Sequence, residues 1–266
     1  MGSGSLLVSE TMLQTKLFFR SAVAAFFTLV MPLMFLVMIN FFIPSDEASG
    51  FSAAQYFTPA IAVFGMVTAT FTNLAINTSM ARDGGILKRV AGTPLPMWVH
   101  LGGRIMSAAL VGLISVTLML AVGWLLFDLE IPWSRMPLFA LLILVGAGTF
   151  SALGLAVAAV TPNARAAPAI ANFVILPLAF ISGIFFPLDG SPEWLQTLAS
   201  WLPLEPLVTA AIALFDPAMP VEFPWAAIGK VLAWGAIGLV IALRFFSFEP
   251  AGTKPRAAEV SAAYGD

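Results

Sequence analysis

Six stretches of this chain, near residues 22–43, 57–79, 104–127, 137–160, 168–187 and 224–246, run on with almost no charge. A membrane core about 30 Å thick is crossed by roughly 20 helical residues, so each run is long enough to span. In lipid the backbone N–H and C=O groups have no water to bond, and they must be paired within the segment. The runs are therefore expected to be helices, because a β-barrel would show shorter, alternating stretches. The expected fold class is an all-α integral membrane protein with six transmembrane helices, forming a single domain over residues 1–266. Composition agrees, since only 10% of residues are charged and 60% are apolar, against about 25% charge in a soluble domain.

Charge placement orients the spans. With six crossings both termini share one side, and that side receives Lys16, Arg20, Arg82, Lys88, Arg89, Arg104, Arg165, Arg244, Lys254 and Arg256. The other side receives only Arg135 and Lys230. By the positive-inside rule both termini are expected in the cytoplasm. The opening "MGSGSLLVSETMLQTKLFFR" does not read as a secretory signal. Within it, residues 9–20 carry a candidate Ser9 cap and scattered apolar positions, which predicts a short helix on the inner interface. Outside, Ser191 as cap, Pro192 and Glu193 start a helix over 192–202 with Trp194 and Trp201 at headgroup depth. Pro203 and Pro206 break it, and a second short helix through about 214 completes an extracellular helical hairpin between spans five and six. Residues 249–266 read as a disordered tail.

Several chemistries are excluded by what is missing. With no cysteine there is no disulfide, thiol catalysis or cysteine-held metal. The lone His100 cannot form a multi-histidine metal site and reads as an ordinary interfacial side chain in a polar loop. No catalytic or phosphate-cradling motif occurs, so neither catalytic nor metal residues are assigned. No ionisable residue is expected near a midplane: Lys230 lies within about two turns of the outer end of the last span, where it can snorkel to water. That argues against a proton-coupled carrier. Thr70, Asn73 and Asn77 share one face of the second span. Interhelical hydrogen bonding is the plainer explanation, and a substrate path, with Asn172 of the fifth span added, is the functional one.

The most unusual segment is the cytoplasmic loop 80–103, "MARDGGILKRVAGTPLPMWVHLGG". Basic residues beside spans hold a loop inside, which accounts for its charge. They do not account for two glycines, a short amphipathic helix with Ile86, Leu87 and Val90 on one face, and a Thr-Pro-Leu-Pro break. Together these describe a shaped knob that could dock on something cytoplasmic.

This loop and the downstream "ISGIFFPLDGSPEWLQTLASWLPLEPLVTA" resemble the two signature regions of the permease subunits of type 2 ABC exporters, especially the bacterial daunorubicin-resistance-like branch. The matching residues are Gly85, Leu87, Arg89, Thr93 and Pro94, then Ser182, Gly183, Phe185, Phe186, Pro187, Pro192 and Trp194. Two departures stand out: Asp83 and Gly84 replace a glutamate common before the loop glycine, and Glu205 stands where the family commonly has a small polar residue.

The resemblance implies a permease in the bacterial inner membrane that pairs with a second copy or a related permease, each bound by a cytoplasmic ABC ATPase subunit, two copies per transporter. ATP and Mg would be held by that ATPase; the permease would bind no cofactor and no nucleic acid, and would contact membrane lipids. Arg82, Asp83, Gly85, Leu87, Lys88, Arg89, Thr93 and Pro94 would form the ATPase-coupling loop. Gly183, Phe185, Phe186, Pro187 and Trp194 would form an outer gate. The cargo would be a hydrophobic or amphipathic drug, lipid or lipid-linked glycan. A passive channel or secondary carrier, or a non-transporting membrane anchor, are the rival readings.

Overall fold

The computed structural model describes residues 2–43, 52–188, 190–220 and 223–246; the expected tail at 249–266 lies outside them. Among the described residues every regular element is helical. Five helices are long and apolar enough to cross a membrane core alone.

Helix α1, Ser3–Arg20, starts six residues before the expected Ser9 cap. It does not lie flat. It runs parallel to the beginning of the third span, with Thr15 Oγ1 2.9 Å from Ser107 Oγ and Phe18 packed with Val111. After a break at Ser21, the first span is built from α2 (Ala22–Ala25), a π-helical turn (Phe26–Val30) and α3 (Met31–Phe42). The second is a continuous 31-residue helix, made of α4 (Ala53–Val67), a π-helical turn (Thr68–Thr72) and α5 (Asn73–Asp83). α4 buries every residue from Phe57 to Val67 and forms the centre of the bundle.

Beyond α5 lies the short α6, Ile86–Ala91. The third span, α7, covers Met97–Leu126 and begins seven residues before the expected 104. Pro96 sets its start, in an extended conformation that a preceding proline ring tolerates and a helix interior does not. The fourth span α8, Met136–Val160, and the last span α12, Trp225–Phe245, match expectation closely. They run parallel: Thr149 Oγ1 donates to Val231 O at 3.1 Å, and further along a Cβ on Gly238 would meet Leu153 N at 2.9 Å. Two spans that run the same way require one return crossing between them.

That passage is α9, Ala167–Phe180, shorter than the expected 168–187. Fourteen residues reach about 21 Å, and a non-helical step carries the chain the rest of the way. At one end Asp83 Oδ2 accepts from Ala164 N. At the other Tyr56 Oη donates to Gly183 O at 3.1 Å, level with the first turn of α4. Gly183 has φ +79°, a left-handed turn that glycine enters without strain and that ends any helical continuation.

The ends of the bundle differ in charge. Asp128, Glu130, Arg135 and Asp216 gather at one, here the acidic end; Arg82, Lys88, Arg89, Arg165 and Arg244 gather at the other, the basic end. Helices α10 (Glu193–Trp201) and α11 (Glu205–Phe215) are bent by 97° at Leu202–Leu204. The expected surface hairpin is corrected here, because α11 buries Pro206, Leu207, Val208, Ala210, Ala211, Leu214 and Phe215 against the bundle. Pro192, with no side-chain hydrogen bond, caps α10 in place of Ser191.

α11 starts inside the bundle and rises to the acidic end. Its last residue, Phe215, gives its carbonyl to Gln55 Nε2 at 3.0 Å, and Gln55 also ties down Glu130 through Nε2 to O at 3.2 Å and N to Oε1 at 2.9 Å. Near its start, Leu207 lies so close to Gly146 that a Cβ there would sit 2.8 Å from Leu207 Cδ2 and from Met66 Cε. Gly146 follows Met136, the first residue of α8, by ten positions, or about 15 Å. The pair is re-entrant: it enters from the acidic end, turns near mid-depth and returns.

Candidate functional site

The expected coupling loop folds into a rigid elbow. α5 ends at Asp83, and Gly85, with φ +68°, reverses the chain in a conformation where a Cβ would be strained. α6 follows at once. Arg82 is 5% exposed and belongs to the interior. Its Nη1 donates to Ala158 O at 2.9 Å and its Nη2 to Thr161 O at 2.6 Å, capping the open carbonyls at the C-terminus of α8. Its Nε pairs with Asp83 Oδ1 at 3.3 Å, and the other carboxylate oxygen takes Ala164 N at 2.5 Å. One dipeptide thus fastens the elbow to the end of the fourth span and to the turn before the fifth.

The rest of the elbow shapes itself. Arg89 folds back onto the carbonyls of Gly85 and Gly84 at 3.4 and 3.3 Å. Thr93 Oγ1 donates to Val90 O at 2.7 Å and accepts from Leu95 N, holding the Thr-Pro turn. Leu87, expected on the presented face, is fully buried and points into the chain. The exposed residues are Ile86, which also borders the cavity described below, and Lys88, Arg89, Thr93 and Pro94. The single apolar face expected of Ile86, Leu87 and Val90 is corrected: Ile86 is exposed, Val90 half-buried and Leu87 buried.

His100 and Arg104 were read at a loop edge, yet both lie within α7. His100 is buried, with Nδ1 2.8 Å from Glu10 Oε1, and Gln14 Nε2 donates to the same carboxylate oxygen at 2.7 Å. Arg104 Nη1 reaches Asn77 O at 3.3 Å and Thr78 Oγ1 at 3.2 Å. His100 is thus met by α1 and Arg104 by α5; α1 docks here because Gly103 has no side chain: a Cβ would fall 2.5 Å from Glu10 Cγ. Glu10 was missed as a buried residue. The one usable signal was the polar i, i+4 pair Glu10–Gln14 in an otherwise apolar helix.

Between α1, α5 and α7 lies a cavity of about 340 Å³. Of the candidate path residues, Asn73 and Asn77 line it, together with Gln14, Ser21, Arg104 and Ser107; the two asparagine side chains hydrogen-bond each other. Thr70 does not join them: it is fully buried and spends its hydroxyl on Met66 O at 2.8 Å. Asn172 is exposed on α9 and does not line this cavity.

The candidate gate divides as well. Phe185 is buried in an aromatic cluster with ring centroids 5.4 Å from Phe35, 5.5 Å from Phe64 and 5.2 Å from Phe180. Gly183 supplies the turn beside it. Phe186 and Pro187 are exposed, and so is Trp194 on α10. Lys230 is half-buried. Its Nζ donates to Ser200 O at 2.8 Å and stands 5.9 Å from the Trp201 ring centre, closing the C-terminus of α10. Arg135 does the same for α11, donating to Asp216 O at 2.6 Å and Met219 O at 3.0 Å.

Comparison with known proteins places this architecture. The family described as "ABC-2 type transporter" matches residues 6–215, from α1 to the end of α11. Similar chains include the transport permease YvfS of Bacillus subtilis, 22% identical over 199 residues, which are 75% of this chain and 81% of the relative. The inner membrane transport permease YadH of Escherichia coli is 23% identical over 158 residues, 59% of this chain and 61% of its own length. The multidrug ABC transporter permease YbhR of the same species is 24% identical over 140 residues, 52% of this chain and 37% of that one. The chain thus spans under two thirds of either E. coli relative. A match running through the elbow, the short fifth span and the re-entrant pair puts this multi-pass inner-membrane protein in the ABC-2 type transporter family, as a transport permease.

Proposed function

We propose that this permease is the membrane half of an ATP-driven exporter, with its basic end in the cytoplasm and its elbow seated on a separate ATPase subunit that holds ATP and Mg. Ten of the twelve Lys and Arg residues assigned to that side support the orientation. The observation that carries the reading is the clamp at Arg82 and Asp83. A short helix with an exposed Ile86, Lys88, Arg89, Thr93 and Pro94 face is bolted to the ends of α5 and α8 and to the start of α9. A push on α6 therefore moves three spans together. A loop that served only to hold charge would need no such anchorage.

Two permeases, identical or related, would enclose the path, each with its own ATPase, and the cargo would be a hydrophobic or amphipathic molecule. The name of the E. coli multidrug ABC transporter permease supports a cargo of that kind. The test uses Ile86→Asp, whose side chain is 44% exposed, so the change leaves the packing of the chain intact. Pull-down of the cognate ATPase, at matched membrane levels, should fall by tenfold or more, and ATP-dependent flux in vesicles should fall with it. Undiminished binding and flux would remove the elbow from the coupling role. Flux independent of ATP would favour a channel or carrier, and absence of any flux with intact ATPase binding would favour an anchor.

A further inference from the structure

The turn of the re-entrant pair holds a carboxylate that no other part of the chain accounts for. Glu205 is the first residue of α11. Two independent rulers set its depth. Leu207, two positions on, packs at the level of Gly146, about 15 Å inside the acidic end of α8. From the opposite direction, Phe215 bonds Gln55 at the acidic end, and the ten steps from Phe215 back to Glu205 measure about 15 Å. In a hydrocarbon core about 30 Å thick both place Glu205 near the middle. On this reading an ionisable residue approaches the midplane, where the sequence led us to expect none. The sequence hid it, because Pro203 and Pro206 look like a surface break.

An ionised group at this depth is costly and is kept where it lines a polar path or meets a partner. Glu205 is partly exposed and Thr209 Oγ1 donates to its Oε1 at 2.9 Å, which fixes the carboxylate on the exposed side of α11, since Thr209 is exposed too. Among the described residues no cation lies within 4.0 Å of it. Lys230, on the adjoining α12, is already held by Ser200 O. A metal ion is a poor guest, since hard cations take six or more oxygens and no group of three acidic or His side chains gathers among the described residues. Four residues before Glu205, Trp201 presents a ring that is 69% exposed and that already stands beside one cation, Lys230.

We propose that the tip of the re-entrant pair, Glu205 with Thr209 and Trp201, is a recognition site for the positively charged head of an amphipathic organic cation. This rests on the exporter reading and narrows its cargo to cationic amphipaths. The carboxylate supplies the charge, the ring supplies a flat apolar face, and the depth selects molecules that partition into the membrane.

Binding is tested on the purified full chain in detergent without ATP, so failure of the ATPase reading leaves this result untouched. The probes are radiolabelled tetraphenylphosphonium and its neutral relative triphenylphosphine oxide. Glu205→Gln, which keeps the shape and loses the charge, should weaken tetraphenylphosphonium binding by about 10-fold to 100-fold and leave the neutral probe unchanged. Glu193→Gln, at the exposed start of α10, should bind both as wild type does. The proposal is overturned by wild-type binding of the cation in Glu205→Gln, by absence of cation binding to the wild-type chain, or by equal loss for both probes, which would make Glu205 structural.

Discussion

Replacing Arg82 by Met tests whether the elbow is held as described. The guanidinium donates to Ala158 O and Thr161 O and pairs with Asp83. Methionine keeps the length of the side chain and abandons two carbonyls at a helix end that no other donor reaches. A hydrogen bond to a charged group contributes about 1.5–3 kcal/mol. Arg82 is 5% exposed, so little of this is lost to solvent screening, although Asp83 at 20% side-chain exposure recovers some hydration. The two carbonyl bonds and the broken pair are not additive, and the loss should be about 3–5 kcal/mol, the range for removing one partner of a buried ion pair. Against a total stability of about 5–15 kcal/mol that is a large share. Arg82→Lys keeps the charge but has no planar fork to serve two carbonyls at once, and should lose about half as much. Unfolding in mixed micelles titrated with denaturing detergent, followed by tryptophan fluorescence, measures both. Stability of Arg82→Met within about 0.5 kcal/mol of wild type, the usual figure for a surface substitution, would refute the clamp.

Other consequences are as direct. Gly103→Val places a branched side chain where Glu10 Cγ and Cβ already crowd the site at 2.5 and 2.9 Å from any Cβ; α1 should undock, seen as protease cleavage within residues 3–20 while the spans stay intact. Leu87→Asp buries a carboxylate without a cation and should cost about 3 kcal/mol or more, lowering stability itself, whereas Ile86→Asp should leave the unfolding midpoint unchanged. Gly146→Leu meets Leu207 Cδ2 and Met66 Cε at 2.8 Å; it should expel α11, and a cysteine placed at Val208, buried in the wild type, should then react with a thiol reagent.

The six crossings were legible in the sequence because lipid leaves few alternatives to a long apolar helix, and α8 and α12 fall within a residue of expectation. The interruptions were harder. Arg104 and His100 looked like the edge of a loop, since hydropathy counts a charge in full whether or not Glu10 stands beside it. The same arithmetic hid Glu205, which is flanked by prolines that end helices at a surface and inside a membrane alike. Helix α9 was lengthened because "ISGIFFP" is apolar enough to continue the span, while the turn at Gly183 depends on Tyr56, far away in the chain. In the elbow, the glycines and the Thr-Pro turn do form a shaped piece. What could not be read was that Arg82 faces inward, because its carbonyl partners at 158 and 161 carry no side-chain signature.

The π-helical turn at Thr68–Thr72 sets a phase relation along the second span. A wide turn holds one residue more than an α-turn, and one residue is about 100° of rotation. α4 can therefore bury its whole circumference at the centre of the bundle while α5, coaxial with it, aims Asn73 and Asn77 at the cavity and Arg82 at the end of α8. The span behaves like a keyed shaft, in which the wide turn fixes the angle between two sets of teeth. Forcing 68–72 into ordinary α-helix at its present length would rotate every tooth below it by that same angle and unmake the elbow from a distance, whereas deleting one residue there would leave the Asn73 N–H to Thr68 O bond and the angle in place.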